Sequence, residues 1–321
     1  MKMETYTKKT YEMQLVFIKR SLLFLLLCLS SSAAVYAAED ADYPNHLTYT
    51  INCSQGEIQI NAEIVLGEKE AYTGSAVSQK FSLEDAFLLY GEKENWVEAP
   101  ELGENSYRYL DENLGSGDFV TVSVNQADPE SGGDIQFDLT PAQENYGVIL
   151  ENAVTVLPEE VPSLLGMDAT VEQQQVFSIG DIAFYLISGR LDGIPVAFYS
   201  QVPAKGTMSY QDGRLAYLSY TGRYRIEESQ EVEVISPEVL MESLEEYAAL
   251  GVINPPLSGK EVTEIALEYY LTNQDGTVTF YPVWVFKIPE LMEGAGAVTG
   301  ELDDFLYLDA QSGELLEYMG S

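Results

Sequence analysis

Aspartate-glycine turns between alternating apolar and polar residues constrain the fold of this chain more than any other feature. Both positions of a two-residue hairpin turn need a positive φ, which Asp and Gly adopt at low cost. Three Asp-Gly pairs lie between runs of that kind, at residues 192–193, 212–213 and 275–276. The chain closes with FLYLDAQSGELLEY (residues 305–318), where Asp309 and Gly313 are typical turn residues. The pattern therefore predicts a succession of antiparallel hairpins.

Two stretches carry helix signatures instead. Ser82 lies three residues before Asp85, the spacing of a capping box, ahead of LEDAFLLYG. The tripeptide Ser-Pro-Glu at residues 236–238 opens a second stretch, whose apolar residues share one helical face up to Gly251. Strands and helices together predict an α+β fold, in which curved antiparallel sheets are each packed by one or two helices.

The start of the chain is typical of an export signal. Lys19 and Arg20 precede a Leu-rich run that ends in Ser and Ala residues, which predicts a secretory signal peptide over residues 1–37. Two alternatives stay open. Residues 21–38 are long enough for a retained membrane anchor, and Cys28 is the residue that a lipid-anchored form would modify. We expect a secreted or cell-envelope protein.

The rest of the chain is long enough for two domains. The segment LPEEVPSLLG, rich in Pro and Glu, predicts a boundary between an N-terminal α+β domain at residues 38–165 and a C-terminal α+β domain at residues 166–321. Residues 38–165 carry no motif of a known family. Our interpretation is a sheet-and-helix domain of an uncharacterised gut-bacterial lipoprotein type.

Acidic residues dominate the charge of the chain. Removal of the leader takes away five basic and two acidic residues, so the remaining chain holds 11 basic and 50 acidic residues and has a net charge of −39. Nucleic acids and anionic membrane surfaces need cationic contacts, which excludes both as partners of the mature chain. The acids are evenly spread, as on a solvated globular surface. Attraction of a basic partner is the alternative.

Most enzyme chemistries lack their residues here. His46 is the single histidine, and Cys53 is the single cysteine after the leader, so neither a histidine-dependent nucleophile nor a zinc cluster is expected. No cofactor motif is present. Oxygen ligands at residues 273–276 and 301–304 lack the regular calcium-loop spacing, which predicts at most weak calcium binding and no dedicated metal site. Carboxylate-pair chemistry stays open, because it needs only two acids at the right separation.

The second half of the chain contains a succession of motifs: GIPVAF, YQDGRLAYL, ISPEVLMESLEEY, IALEYYL, YPVWVFKI and FLYLDAQSGEL. This succession resembles the YycH/YycI regulatory proteins and, more loosely, PepSY-type modules, over residues 176–321. The resemblance implies an extracytoplasmic protein without catalytic residues that modulates a membrane sensor kinase by protein contact. Those proteins keep an N-terminal membrane helix, whereas this leader is typical of a cleaved one.

Candidate partner-contact residues lie in and near LSYTGRYRIEES (residues 218–229). Arg214, Arg223 and Arg225 are basic residues on an acidic chain, and Tyr220 and Tyr224 accompany them. Aromatic and Arg side chains are enriched in protein interfaces, so we expect any contact with an acidic partner here. The alternatives are that the arginines bridge neighbouring acids and that the tyrosines fill a half-buried sheet.

The strand YPVWVFKI holds candidate structural residues. Pro282 cannot donate a ladder hydrogen bond, so it belongs at an edge or a bulge. Trp284 and Phe286 share one side of the strand, and Val283 and Val285 share the other. This pattern predicts a strand covered on both faces, with Trp284 in the core.

These features predict an exported, non-enzymatic protein-binding module, an accessory regulator of an envelope sensor or two-component system. The alternative is a cell-surface carbohydrate-binding or carboxylate-dependent glycan-processing protein. That alternative requires a groove with two facing acids, one of which has a raised pKa. A protease-inhibiting or structural module is a further reading that the sequence does not separate from the first.

Overall fold

The computed structural model describes residues 44–66, 70–110, 119–126, 133–140, 153–179, 182–256, 259–291 and 298–318. The predicted signal peptide and the membrane or lipid anchor alternatives lie outside these residues. In the part of the chain that is described, no helix reaches the length and apolar character needed to cross a bilayer.

Sixteen strands make up most of the described structure. They are β1 His46–Cys53, β2 Gly56–Val65, β3 Tyr72–Ser78, β4 Trp96–Glu98, β5 Ser106–Tyr109, β6 Phe119–Val124, β7 Gly133–Thr140, β8 Ala169–Ile179, β9 Ile182–Leu191, β10 Ile194–Pro195, β11 Lys205–Gln211, β12 Arg214–Glu231, β13 Val262–Gln274, β14 Thr277–Leu291, β15 Val298–Asp309 and β16 Leu315–Tyr318. The α-helices are α1 Leu83–Phe87, α2 Val161–Leu164 and α3 Pro237–Ala249, with short 3-10 helices at Lys93–Asn95, Pro100–Leu102 and Pro158–Glu160.

The predicted α+β class is wrong, because the described chain is mostly β-sheet. All sixteen strands belong to one sheet, with a main path β1-β2-β13-β14-β3-β12-β7-β6-β5-β4 and side branches through β15–β16 and β8–β11. The sheet is mixed, since β2 and β13 run parallel while the other neighbouring strands are antiparallel. Of the three helices, only α3 exceeds five residues, so helices do not form a layer on each sheet.

The long strand β12 connects parts of this sheet. The first part of β12 pairs with β7 and β11, and its last part pairs with β3. The β7 register shifts between Thr221 and Arg223, beside Gly222, which has a φ of +100°. A Cβ atom at Gly222 would lie 1.8 Å from the Pro203 carbonyl oxygen. This position therefore requires glycine, and the residue lets β12 change partners within one strand.

The Asp-Gly hairpins are confirmed. Each Asp has a φ between 50° and 55° and each following Gly a φ between 74° and 82°, as a two-residue turn requires. The turns join β9 to β10, β11 to β12 and β13 to β14. The capping box is also confirmed: the Ser82 hydroxyl accepts from the Asp85 amide at 3.1 Å, and the Ser82 amide donates to the Asp85 carboxylate at 3.2 Å.

The strand β14 is covered on both faces. Trp284 and Phe286 pack into the cluster that includes the apolar residues of α3, while Val283 and Val285 face a smaller cluster on the other side. The Trp284 indole N–H donates to the Ile235 carbonyl oxygen at 2.9 Å, which satisfies its polar atom inside the core.

Pro282 lies where β14 changes its second neighbour, because pairing with β3 ends at Phe280 and pairing with β15 begins at Val283. Its carbonyl oxygen accepts from Ala310 at 3.0 Å. In a strand, the backbone N and O atoms of one residue point to the same side. The Pro282 nitrogen, which has no proton to donate, therefore also faces the place where the neighbour of β14 changes from β3 to β15.

The sheet continues across the predicted boundary between residues 165 and 166. Strands β2, β3 and β7 pair with β13, β14 and β12 from the second half, and the residues from Pro44 onward form one compact unit. The division into two domains stays a prediction about independent folding.

Candidate functional site

A row of charged side chains crosses the face of the sheet opposite α3. Glu264 on β13 pairs with Lys287 on β14, which in turn pairs with Asp304 on β15. The Lys287 Nζ lies 2.6 Å from Glu268 Oε1 and 3.3 Å from Glu264 Oε1. Glu268 is only 4% exposed and Asp304 only 8%. We refer to Glu264, Glu268, Lys287, Asp304 and Tyr307 as the buried ion-pair network.

An irregularity in β15 completes this network. Phe286 pairs with Leu306, but Lys287 pairs with Asp304, so one extra residue stands on β15 between the two pairs. Residues three apart normally lie on opposite faces of a strand. The extra residue brings Asp304 and Tyr307 to the same face, where the Tyr307 hydroxyl donates to the Asp304 carboxylate.

Burial dominates the electrostatics of the network. It raises the pKa of Glu268 to about 7, with the Lys287 ammonium opposing the rise and Asp304 adding to it. Burial acts to lower the pKa of Lys287, but the carboxylates of Glu268, Asp304 and Glu264 outweigh it, so the net shift is upward. Burial and then Asp304 raise the pKa of the Tyr307 hydroxyl.

A loop covers part of this face, and we name it the 197–204 loop. The Ala197 amide donates to the Tyr269 carbonyl at 2.9 Å, and the Val202 amide donates to the Leu271 carbonyl at 3.2 Å. The Leu271 amide donates to the Ser200 hydroxyl at 3.1 Å. The loop is therefore fixed to β13 at its first residue, at Ser200 and at Val202.

Two aromatic rings stand at the surface of the 197–204 loop. Phe198 is 36% and Tyr199 38% exposed, and their centroids are 5.0 Å apart at 80°. The Tyr199 amide donates to the Tyr307 hydroxyl at 3.3 Å, which ties the loop to the buried ion-pair network. Lys205 lies 3.7 Å from the Phe198 centroid, and its Nζ donates to the Phe198 carbonyl at 3.1 Å. Burial lowers the pKa of Lys205. The arrangement is a preorganised aromatic pair beside one cation.

Among the described residues, the acid with a raised pKa does not line the depression that the structure shows. Glu268 combines burial with a raised pKa, but its carboxylate bonds to Lys287 inside the sheet. A depression of about 610 Å³ between β3, β12 and β14 has one carboxylate, Glu228, among its lining residues. Within the described ranges, no group of three or more His, Cys, Asp or Glu side chains is arranged to hold a metal ion.

The predicted partner-contact residues do not form one surface. Arg214 and Arg223 are nine positions apart on β12, roughly 30 Å of extended strand. Tyr220 and Tyr224 are buried, with 2% and 9% exposure. Of the five residues, Arg225 is the one whose side chain is exposed.

The other two arginines bond within the fold. Arg214 donates to the Ala153 carbonyl oxygen at 3.0 Å. Arg223 pairs with Asp85 at 3.7 Å and lies over the Phe81 ring at 5.0 Å from its centroid. The Arg223 contact matches the alternative in which the arginines bridge neighbouring acids, whereas Arg214 bonds a backbone carbonyl instead.

The predicted turn residues have local roles. Asp309 Oδ1 accepts from the backbone amides of Gln311 at 2.9 Å and Ser312 at 2.8 Å, and Gly313 has a φ of +72°. In the first calcium candidate, the Asn273 side-chain oxygen accepts from the Gly276 amide at 2.9 Å. In the second, Asp304 is the one described side chain. Weak calcium binding stays a prediction.

The single histidine and the single cysteine after the leader are also placed. His46 is exposed and contacts the Asn61 side chain at 2.9 Å. Cys53 is half-buried, and burial raises the pKa of its thiol. A raised pKa keeps the thiol protonated, which is the opposite of what a nucleophile needs.

Sequence reasoning missed both parts of the candidate site. The residues after the first Asp-Gly pair favour a strand over Ile194–Gln201, but the strand ends at Pro195 and Phe198 and Tyr199 lie in a loop. A signal for the network was present, since Glu264 and Glu268 share one face of β13 and Lys287 shares the face of Val283 and Val285 on β14. A charge at a core position is expensive unless it is paired.

Comparisons with known proteins leave the family open. No family model matches the chain, and no curated protein matches it. Among solved structures, the crystal structure at 1.45 Å resolution of an uncharacterized protein from Eubacterium rectale ATCC 33656 is similar, with a TM-score of 0.49 and 15% identity over 86% of this chain and 94% of that one. Nothing in these comparisons supports the resemblance to YycH/YycI or PepSY proteins, which stays a prediction.

Proposed function

We propose that this chain is an exported, non-enzymatic protein-binding module that contacts its partner through Phe198 and Tyr199. The observation that carries the proposal is that both rings are exposed while the loop beneath them is hydrogen-bonded to β13 and Tyr307. Aromatic anchors dominate the binding energy of many interfaces. An anchor that is already fixed loses little conformational entropy on binding.

The buried ion-pair network has a supporting role in this proposal. The Tyr307 hydroxyl accepts from the Tyr199 amide and donates to Asp304, so the network holds the loop that carries the rings. Glu268 and Asp304 are enclosed and bond to Lys287 and Tyr307, which suits support of a surface better than chemistry on a substrate.

The partner that we propose is another extracytoplasmic or membrane protein. The chain has a formal net charge of −36, which favours association with a basic surface and makes the association rate sensitive to salt. The sequence resemblance makes the extracytoplasmic region of an envelope sensor kinase the first partner to test, with this chain as an accessory regulator.

A crosslinking pulldown from the cell envelope of the source organism tests the proposal. The wild-type chain is compared with Phe198→Ser/Tyr199→Ser and with the control Leu157→Ser, because Leu157 is also exposed, at 58%. We expect a membrane protein to be recovered with wild type and control and to be lost with the double variant. Equal recovery with all three chains contradicts the role of the loop.

The second candidate is the alternative that the sequence left open, a carboxylate-dependent glycan-processing protein, for which Glu268 is the described acid with a raised pKa. If this candidate is right, the wild type should release reducing ends from cell-surface glycans, and Glu268→Gln should not. Glycan release that depends on Glu268, together with unchanged pulldown by the double variant, would replace our proposal with this one.

A further inference from the structure

The outer side of β1 is an open sheet edge. β1 is an end strand that pairs with β2 over its whole length, from His46 opposite Glu63 to Cys53 opposite Gly56. Among the residues that the structure describes, no strand pairs with its other side. A free edge offers backbone donors and acceptors to any extended chain.

The hydrogen-bond alternation shows which groups point outward. The Ile64 amide donates to the Asn45 carbonyl at 3.1 Å, so residues 45 and 64 form a hydrogen-bonded pair. In an antiparallel ladder such pairs alternate with pairs whose groups point away. The outward N–H and C=O groups therefore belong to residues 46, 48, 50 and 52, and all four of these residues are exposed.

Other end strands in the described ranges carry features that protect an edge. β4 has three residues and ends in Glu98, β16 has four residues and includes Glu317, and β8 includes Glu172. β1 has eight residues, HLTYTINC, without Lys, Arg, Asp, Glu or Pro. Natural proteins usually protect an edge strand that has no function by making it short or by placing a charge or a proline in it. β1 has none of these protective features.

Carboxylates of α3 flank this uncharged edge. The Tyr49 hydroxyl donates to Glu245 Oε1 at 2.6 Å. This hydrogen bond raises the pKa of Tyr49, as do burial and the charges of Glu245 and Glu242. Both glutamates are exposed. A strand added beside β1 would therefore lie near two solvent-accessible carboxylates.

We propose that β1 binds an extended cationic segment of a partner protein by strand addition. The backbone of residues 46–52 supplies the ladder, and Glu242 and Glu245 attract Lys or Arg side chains of the added strand. A second copy of this chain fits less well, because two-fold pairing would bring two acidic α3 helices to one edge. This surface is separate from the 197–204 loop, and the proposal does not depend on that loop.

The test uses a fluorescently labelled peptide that alternates Val and Lys and matches β1 in length, with a Val/Glu peptide as its counterpart. Binding is measured by anisotropy at low salt for the wild type, Thr50→Pro and Thr50→Val. Both variants remove the bond from the Thr50 hydroxyl to Gln59, but only proline removes the outward N–H. The ladder to β2 does not use that N–H, so both variants should fold, which urea denaturation checks.

We expect Thr50→Val to bind the Val/Lys peptide like the wild type and Thr50→Pro to bind it roughly ten-fold or more weakly, equivalent to about 1.4 kcal/mol. The Val/Glu peptide should bind more weakly than the Val/Lys peptide. Three results would overturn the proposal: no binding of the Val/Lys peptide by wild type, equal binding by both folded variants, or equal binding of both peptides. Sedimentation that shows a dimer sensitive to Thr50→Pro would assign the edge to a second copy instead.

Discussion

Replacement of Lys287 by Met isolates the electrostatics of the buried ion-pair network. The substitution keeps the length of the side chain but removes the cation 2.6 Å from Glu268, which is 4% exposed. Glu264 and Asp304 remain nearby as like charges. Loss of one partner of a buried pair costs about 3–5 kcal/mol of unfolding free energy, because the other charge stays enclosed.

The pH dependence of this loss follows from the pKa of Glu268. Its folded value, about 7, lies above the unfolded value of 4.5. The carboxyl therefore opposes folding increasingly as the pH rises through that window, by about 3 kcal/mol in total. Without Lys287, the pKa of Glu268 in the folded protein rises further. The pH range over which ionisation of Glu268 opposes folding therefore extends upward. Burial lowers the pKa of Lys287, but Glu268, Asp304 and Glu264 raise it more, so the ammonium stabilises the fold below its unfolded value of 10.5. This contribution is larger at the higher test pH, where Glu268 is ionised.

Urea denaturation at about pH 5 and about pH 8 measures this effect through linkage. We expect Lys287→Met to lose about 3–5 kcal/mol of unfolding free energy at the higher pH. The loss should be about 1.4 kcal/mol smaller at the lower pH, where Glu268 is protonated with or without Lys287. The control Glu268→Gln/Lys287→Met should lose roughly 1–2 kcal/mol at both pH values, since no enclosed charge remains at Glu268. An equal loss for Lys287→Met at both pH values, or no recovery in the control, would refute the reasoning.

Two further predictions concern turns and close contacts. Asp309→Asn should lower the unfolding free energy by less than about 1 kcal/mol, because the amide oxygen can accept the same two backbone bonds. Asp309→Ala should lower it by about 1–2 kcal/mol. Urea denaturation in which Asp309→Asn is the less stable of the two variants would contradict a turn role. Gly222→Ala should cost about 2 kcal/mol or more, because its Cβ would meet the Pro203 carbonyl and its φ is positive. The control Gly213→Ala, with no atom within 4 Å of its Cβ, should cost about 1 kcal/mol, and equal losses would argue against a close approach at Gly222.

Local features were predictable from the sequence because their causes are local. The Asp-Gly hairpins depend on the φ preference of two adjacent residues, and the capping box depends on two side chains three residues apart. The apolar alternation after the second Asp-Gly pair favours a strand over Arg214–Tyr220, whereas the structure continues β12 past Gly222 to Glu231. The strand β3, YTGSAVS, was missed because small residues weaken its alternation.

The candidate site depends on contacts between distant residues. The network joins residues 264, 268, 287 and 304 through strand pairing and one extra residue in β15, and no local pattern fixes that register. The even spacing of Tyr220 and Tyr224 along the sequence is compatible with an exposed face of a strand. In the structure, neighbouring strands bury both side chains. Both halves of the chain contribute strands to one sheet, and this arrangement likewise depends on contacts between residues that are distant in the sequence.

Site-specific photocrosslinking from position 199 tests the central claim most directly. A photoreactive phenylalanine analogue replaces Tyr199 in one sample and Leu157 in the control, and both chains are exported in the source organism before irradiation. The account predicts one discrete crosslinked envelope protein from position 199 and none from position 157. Crosslinks that are absent from position 199, or that are the same from both positions, would contradict a partner-binding surface at the 197–204 loop.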